Sequence, residues 1–278
     1  MGRPGGRLCS GRGRRRPYHP VVAGPLARLP RSLFWLGGAF VLLVAVVATG
    51  LHRPADRALA AILWQDVPCW GRILGERASI AFAAELSLLY AIGLGFICLR
   101  ARRPLAAGWI VFLLLAGVGL EIAFKYNFTH PAPSAYLETL SRPSCGVPGS
   151  AYPFTVVPTP STLPSGYSIR AAYFCLLVAA MIGARWPALR LVAWPLLVLV
   201  ALAAAASRVT VGWHWPTDVI AGVLVGACAA VLATAQAGGF AFLRAGRAAR
   251  RGGRMLRGAA PSGRRASASR SPARRPRR

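Results

Sequence analysis

Residues Leu105–Phe124 read LAAGWIVFLLLAGVGLEIAF, twenty positions with a single charged side chain, Glu121. A helix of about 20 mostly apolar residues crosses the hydrocarbon layer. Inside that layer the backbone satisfies its own hydrogen bonds only as a helix or a closed barrel. The stretch therefore reads as a transmembrane helix. Working outward, five further windows have the same character: Ser32–Leu51, Ile80–Leu99, Ser168–Ala184, Leu191–Ser207 and Thr217–Gln236. The expected fold class is all-α, a polytopic membrane protein built as a six-transmembrane-helix bundle.

The rest of the chain explains how a sequence that is 55% hydrophobic also carries a net charge of +27. A soluble domain mixes charges of both signs, and a disordered basic protein lacks the apolar runs, so both are excluded as descriptions of the whole. The charge is segregated. Eight Arg precede Ser32, three lie at Arg100–Arg103, two at Arg185 and Arg190, and thirteen from Arg244 onward, which places 26 basic residues at one end of the bundle and eight at the other. Basic residues stay on the cytoplasmic side. Both termini are thus expected in the cytoplasm of a plasma-membrane protein. Residues 1–31 read as a basic N-terminal tail, 32–236 as the membrane domain, and 237–278 as a basic tail of Gly, Ala, Ser, Pro and Arg that cannot bury a core. The tails are expected to set topology and touch lipid headgroups, with no nucleic-acid partner. The first apolar run follows a long basic leader without a small-x-small cleavage site, so it reads as a retained anchor.

Of 34 basic residues, 33 are Arg and one, Lys125, is Lys. Such a bias fits the GC-rich coding of a bacterial genome and marks Lys125 as a position where Arg does not serve. Lys125 ends the third apolar window and opens an outer loop of some 40 residues, which closes on Leu163-Pro-Ser-Gly-Tyr167. The next outer loop reads Ser207-Arg-Val-Thr-Val-Gly-Trp-His-Trp-Pro-Thr-Asp218. Topology places Lys125, Ser165, Arg208, His214 and Asp218 on one extracytoplasmic face. Ser165 and Gly166 at a helix start offer a hydroxyl and free N–H groups at the positive end of a dipole, as a phosphate requires. Pro216 suits a first helical turn. Asp218 would then lie close enough to orient the ring of His214, which a nucleophilic imidazole needs. Arg208 offers a planar fork for two phosphate oxygens. Cys69 and Cys145 both fall in outer loops, where a disulfide persists; Cys98, Cys175 and Cys228 lie in membrane helices.

These residues carry a resemblance. Ser207-Arg208-x5-His214-x3-Asp218 has the residues and spacing of the third signature of the type 2 phosphatidic acid phosphatase and vanadium haloperoxidase superfamily. Pro164-Ser165-Gly166 resembles the start of its second signature, and Lys125 with Pro133 matches the ends of its first. The six-helix plan is similar to that of the membrane lipid phosphatase branch. The resemblance implies a phosphatase that needs no metal or other cofactor. His214 would be the nucleophile that forms a phosphohistidine and Asp218 its orienting partner, while Lys125, Ser165, Gly166 and Arg208 would bind phosphate oxygens. The substrate class would be a lipid-linked phosphate or diphosphate, such as phosphatidic acid, phosphatidylglycerol phosphate or a polyprenyl diphosphate.

Two positions depart from the family pattern. Tyr167 stands where the family has the histidine that protonates the leaving group, and Ala132 where it has a phosphate-binding Arg. A Tyr hydroxyl titrates near 10 and is poorly matched to proton transfer at neutrality, an effect worth about 10²–10⁴-fold. His130 and Arg142 in the same loop are the candidate substitutes. The alternative expectation is a weakened or inactive family member that binds lipid phosphate without hydrolysing it. Glu85 and Glu121, costly in lipid, are expected to face the bundle interior.

Overall fold

The computed structural model of the chain describes residues 29–137, 140 and 160–243. Nine α-helices run through these residues: α1 (Arg31–Thr49), α2 (Arg53–Asp66), α3 (Cys69–Ile80), α4 (Ala84–Arg100), α5 (Pro104–Asn127), the single turn α6 (Ser134–Leu137), α7 (Gly166–Arg185), α8 (Arg190–Thr210) and α9 (Pro216–Gln236). No strand occurs among the described residues; one isolated bridge joins His130 to Ser161. Helices α1, α5, α7, α9 and α8 with the turn before it are long and apolar enough to cross a membrane. Helix α4 covers the remaining window but starts at Ala84 and has 17 residues, about 26 Å of helix against a hydrocarbon layer of about 30 Å. The molecule is an all-α membrane protein.

Residues 53–80 differ from the sequence expectation of an open outer loop. They form α2 and α3. Pro54 in the first turn fixes φ where no donor is needed. Asp56, Ala60 and Trp64 then recur every four residues as the buried stripe of α2, and this stripe packs with Leu137, Ala205 and Val209. The stripe is too short and too polar to stand out against the long apolar runs.

Helix α9 lies against α7 at the centre of the bundle. Gly222 and Gly226, four residues apart, present no side chain to α7, and a Cβ at either would run into the carbonyl of Ser165 or Ile169. Small residues at this spacing let two membrane helices approach backbone to backbone. The close fit brings the first turn of α9 beside the first turn of α7, where the backbone N–H of Ser165 donates to the carbonyl of Asp218 at 3.0 Å. At the other end of the bundle the guanidinium of Arg103 lies over the ring of Phe242 at 5.8 Å, so the α4–α5 joint and the segment after α9 share that basic end.

Glu85 is exposed in the first turn of α4, contrary to the expected interior position. An acidic residue in a first turn is favoured by the helix dipole, so it needs no partner inside the bundle. Glu121 is buried as expected.

Candidate active site

Asp218 is fully buried at the third position of α9. Its carboxylate closes the helix start by accepting from the backbone N–H of Trp215 at 2.9 Å. The same oxygen, Oδ2, accepts from Thr162 Oγ1 at 2.6 Å and lies 3.4 Å from His214 Nδ1. His214 and Asp218 are thus brought together, without a hydrogen bond between them. Nδ1 is the ring nitrogen that approaches the carboxylate, the side from which a carboxylate fixes tautomer and orientation.

The other carboxylate oxygen, Oδ1, lies 3.3 Å from His130 Nε2. His130 is thus gathered into the site, and one carboxylate lies within 3.4 Å of two imidazoles. It is carried by a short extended crossing: Thr162 donates its backbone N–H to the His130 carbonyl at 2.9 Å, and His130 donates to Pro160 at 3.3 Å. Burial holds the His130 imidazole below its usual range, while the Asp218 charge works in the opposite direction. Thr162 was not singled out by the sequence. Its only signal is its place three residues before Ser165, and nothing in that spacing announces a contact across 56 positions.

Ser165 precedes the first turn of α7 as predicted. Its hydroxyl is fully buried and has no hydrogen-bond partner among the described residues. A buried hydroxyl in that state is costly unless a ligand engages it, which fits a seat for an oxyanion at a helix start.

Lys125 is not presented alone. Its ammonium donates to Glu121 Oε1 at 2.6 Å, one turn earlier on α5. Glu121 Oε2 accepts from Arg170 Nη1 at 3.2 Å, and Arg170 Nε donates to the Phe82 carbonyl at 2.8 Å. The Glu121 carboxylate lies so close to Gly166 that any Cβ there would collide with it. A side chain at 166 would have to displace this carboxylate. The sequence did offer a signal for the pair, since Glu and Lys at i and i+4 meet on a helix face.

Tyr167 faces cations. The guanidinium of Arg208 lies 4.3 Å from its ring centroid and that of Arg170 lies 5.1 Å away. Arg208 is also near the ring of Trp213, at 5.5 Å. The Arg208 carbonyl accepts the backbone N–H groups of Trp213 and His214 at 3.1 and 3.2 Å. Arg208 is buried, and stacking on aromatic faces is one of the ways a desolvated guanidinium is held. Ala132 is exposed. Arg142 and Cys145 lie outside the described residues. Cys69 is disulfide-bonded.

Two further residues join this end of the bundle. Asp56 accepts from the Thr217 backbone N–H at 3.1 Å and from Thr217 Oγ1 at 2.6 Å, and burial pushes its carboxyl up from the ordinary carboxylate range. His52, one turn earlier, lies 3.9 Å from Asp56 through Nε2. Its ring is 5.0 Å from that of His130.

The described residues thus form a helical membrane bundle that collects a histidine–aspartate pair, a buried arginine and a lysine at one end of its helices. Residues 106–240 match the family model of the PAP2 superfamily. The crystal structure of a transmembrane PAP2-type phosphatidylglycerolphosphate phosphatase from Bacillus subtilis is similar in fold, with a TM-score of 0.58 at 18% sequence identity over 73% of this chain and 94% of that one. No curated protein matches the sequence.

Proposed function

We propose that this protein is a membrane phosphatase that hydrolyses a lipid-linked phosphate or diphosphate at the outer face of the plasma membrane. The observation that carries the reading is the His214–Asp218 contact beside the unpartnered hydroxyl of Ser165. His214 Nε2 attacks phosphorus while the bond to the lipid oxygen breaks, giving a phosphohistidine and a lipid alcohol or monophosphate. Asp218 stabilises the positive ring that forms. Arg208, Lys125, the Ser165 hydroxyl and the Gly166 N–H hold the phosphoryl oxygens. A water then attacks the phosphohistidine, releasing inorganic phosphate and restoring the imidazole.

The leaving oxygen needs a proton. Of the two groups available, Tyr167 is engaged with Arg208, and His130 shares the Asp218 carboxylate. The proton source is therefore assigned to His130, with Tyr167 as the platform beneath the arginine. Apolar chains have a place to lie: a cavity of about 490 Å³ between α4, α7 and α8, lined by Phe82, Tyr90, Leu94, Phe174, Cys175 and Leu197 among others. Phe82 reaches the site through its carbonyl on Arg170. This supports a lipid substrate over a soluble ester.

The test is phosphate release by purified protein in liposomes, offered phosphatidic acid, phosphatidylglycerol phosphate and a polyprenyl diphosphate. His214→Ala is expected to abolish turnover, and His130→Ala to lower it by about 10²–10⁴-fold. A second reading, a binder without turnover, draws on one observation, the neutralisation of Lys125 by Glu121. It would be established by lipid phosphate binding in wild type without release, and by release appearing in Tyr167→His.

A further inference from the structure

His52, Asp56 and His130 lie outside the His214–Asp218 pair, yet their ligand atoms all fall within 4.8 Å of one another. We infer that these three side chains form a site for a divalent transition metal of the zinc type, beside the phosphatase centre and sharing His130 with it.

The donor set decides the metal class. Two imidazoles and one carboxylate suit zinc and its neighbours, while calcium and magnesium select oxygen ligands. The spacing is close to what coordination needs. Ligands at 2.0–2.2 Å in a tetrahedral arrangement stand about 3.4 Å apart, and His52 Nε2 and Asp56 Oδ2 are 3.9 Å apart.

The supporting contacts point the same way. His52 Nδ1 faces the Val46 carbonyl at 3.4 Å, which favours a proton on Nδ1 and a lone pair on Nε2, directed at Asp56. The Asp56 carboxylate is fixed by the backbone N–H and hydroxyl of Thr217. A ligating histidine bonded to a carbonyl through its other nitrogen, and a ligating carboxylate that is itself hydrogen-bonded, are the regular outer contacts of metal sites. All three residues are buried. They are reached from a cavity of about 540 Å³ whose wall also includes Asn127, Thr129 and Trp215. Three protein ligands leave a fourth position for water. Arg53 and Arg57 share the same wall and lower the affinity; Arg57 is drawn aside over the ring of Tyr136 at 5.6 Å.

Occupancy is coupled to the phosphatase pair. His130 Nε2 lies 3.3 Å from Asp218, and a metal bound to this ring holds it as a neutral ligand that no longer supplies the leaving-group proton. Asp56 holds Thr217, the residue next to Asp218. Metal binding is therefore inhibitory. This consequence rests on the proposed phosphatase reading, whereas the binding itself does not.

The experiment uses the full chain in detergent, freed of any histidine tag and stripped with a chelator. Zinc is titrated by calorimetry, and bound cobalt is followed by its visible ligand-field absorption. One equivalent is expected in wild type, with affinity lowered at least about 10²-fold in His52→Ala, since loss of a ligand exceeds the 10–100-fold of an outer contact. Asp56→Asn, which keeps an acceptor for Thr217, is the second variant, and both are compared with wild type for helical content and melting temperature. No zinc binding by wild type, equal binding by the two variants, or uptake of inorganic phosphate in place of zinc at this cavity overturns the site. Zinc is expected to lower phosphate release by wild type and to spare His52→Ala. Zinc bound with release unchanged removes the coupling and leaves the site. Absence of release under every condition would refute the phosphatase reading while the calorimetry still decides the metal.

Discussion

Two carboxylates at the same end of the bundle are handled in opposite ways. Asp218 is ringed by a backbone N–H, a hydroxyl and two imidazoles, partners that are neutral or can change charge. Glu121 sits between two fixed cations, Lys125 and Arg170. A carboxylate beside imidazoles can stabilise a charge that comes and goes in a reaction. One held between permanent cations cancels charge and fixes geometry. On the proposed phosphatase reading the first arrangement belongs to turnover and the second to architecture, and substitution separates them.

The largest effect is expected from Asp218→Asn, which keeps shape but presents an amide to His214. Turnover should fall by about 10³–10⁴-fold, by analogy with the same change in a serine protease triad, while the melting temperature moves little. Phosphate release and thermal denaturation measured on the same preparation check both halves. Glu121→Gln should give the reverse pattern. It leaves Arg170 buried without its counter-charge, a loss of about 3–5 kcal/mol for a fully buried pair and less here because Lys125 is partly open to solvent. A stable Glu121→Gln protein with ordinary melting would erase the distinction. Thr162→Val removes a hydrogen bond to a charged group, worth about 1.5–3 kcal/mol. Its loss should appear in turnover as about 10–100-fold, since the bond holds the carboxylate that orients His214. The smallest effect is expected for Tyr167→Phe, which keeps the ring under Arg208 and should change turnover by less than about threefold, the ring and not the hydroxyl supplying the contact. A larger drop would return the Tyr167 hydroxyl to proton transfer.

The same contrast explains what was legible in the sequence. Long apolar runs fixed the six principal helices because their signal is local and repeats over about 20 residues. His214 and Asp218 were legible because both lie within five positions of one helix start. His130 could be named only as a substitute, and the structure supplies the contact that the sequence lacked. Thr162 and Asp56 were missed because their partners, Asp218 and Thr217, lie far along the chain at the start of α9; His52 was missed although it meets Asp56 at i and i+4. The pairing of Lys125 with Glu121 was available from helix geometry, but Lys125 had been read through its rarity and its match to a phosphate-binding position. Glu85 shows the converse error, in which the cost of charge in lipid was applied to a residue that sits at a helix end.

The hydrogen bond from Ser165 to Asp218 has a mechanical consequence. Lateral pressure in a bilayer, or a change in its thickness, tilts helices and slides them against one another. Helices α7 and α9 are pinned to each other at their outer tips, with their glycine contacts just below, so the pair responds as one strut. Lys125 rides on α5 and is tethered to that strut through Glu121 and Arg170. On the proposed reading the distance between His214 and Ser165 is thus insulated from the membrane, while the position of the lysine responds to it. Bilayers of differing acyl length should therefore shift substrate affinity more than the rate of the chemical step.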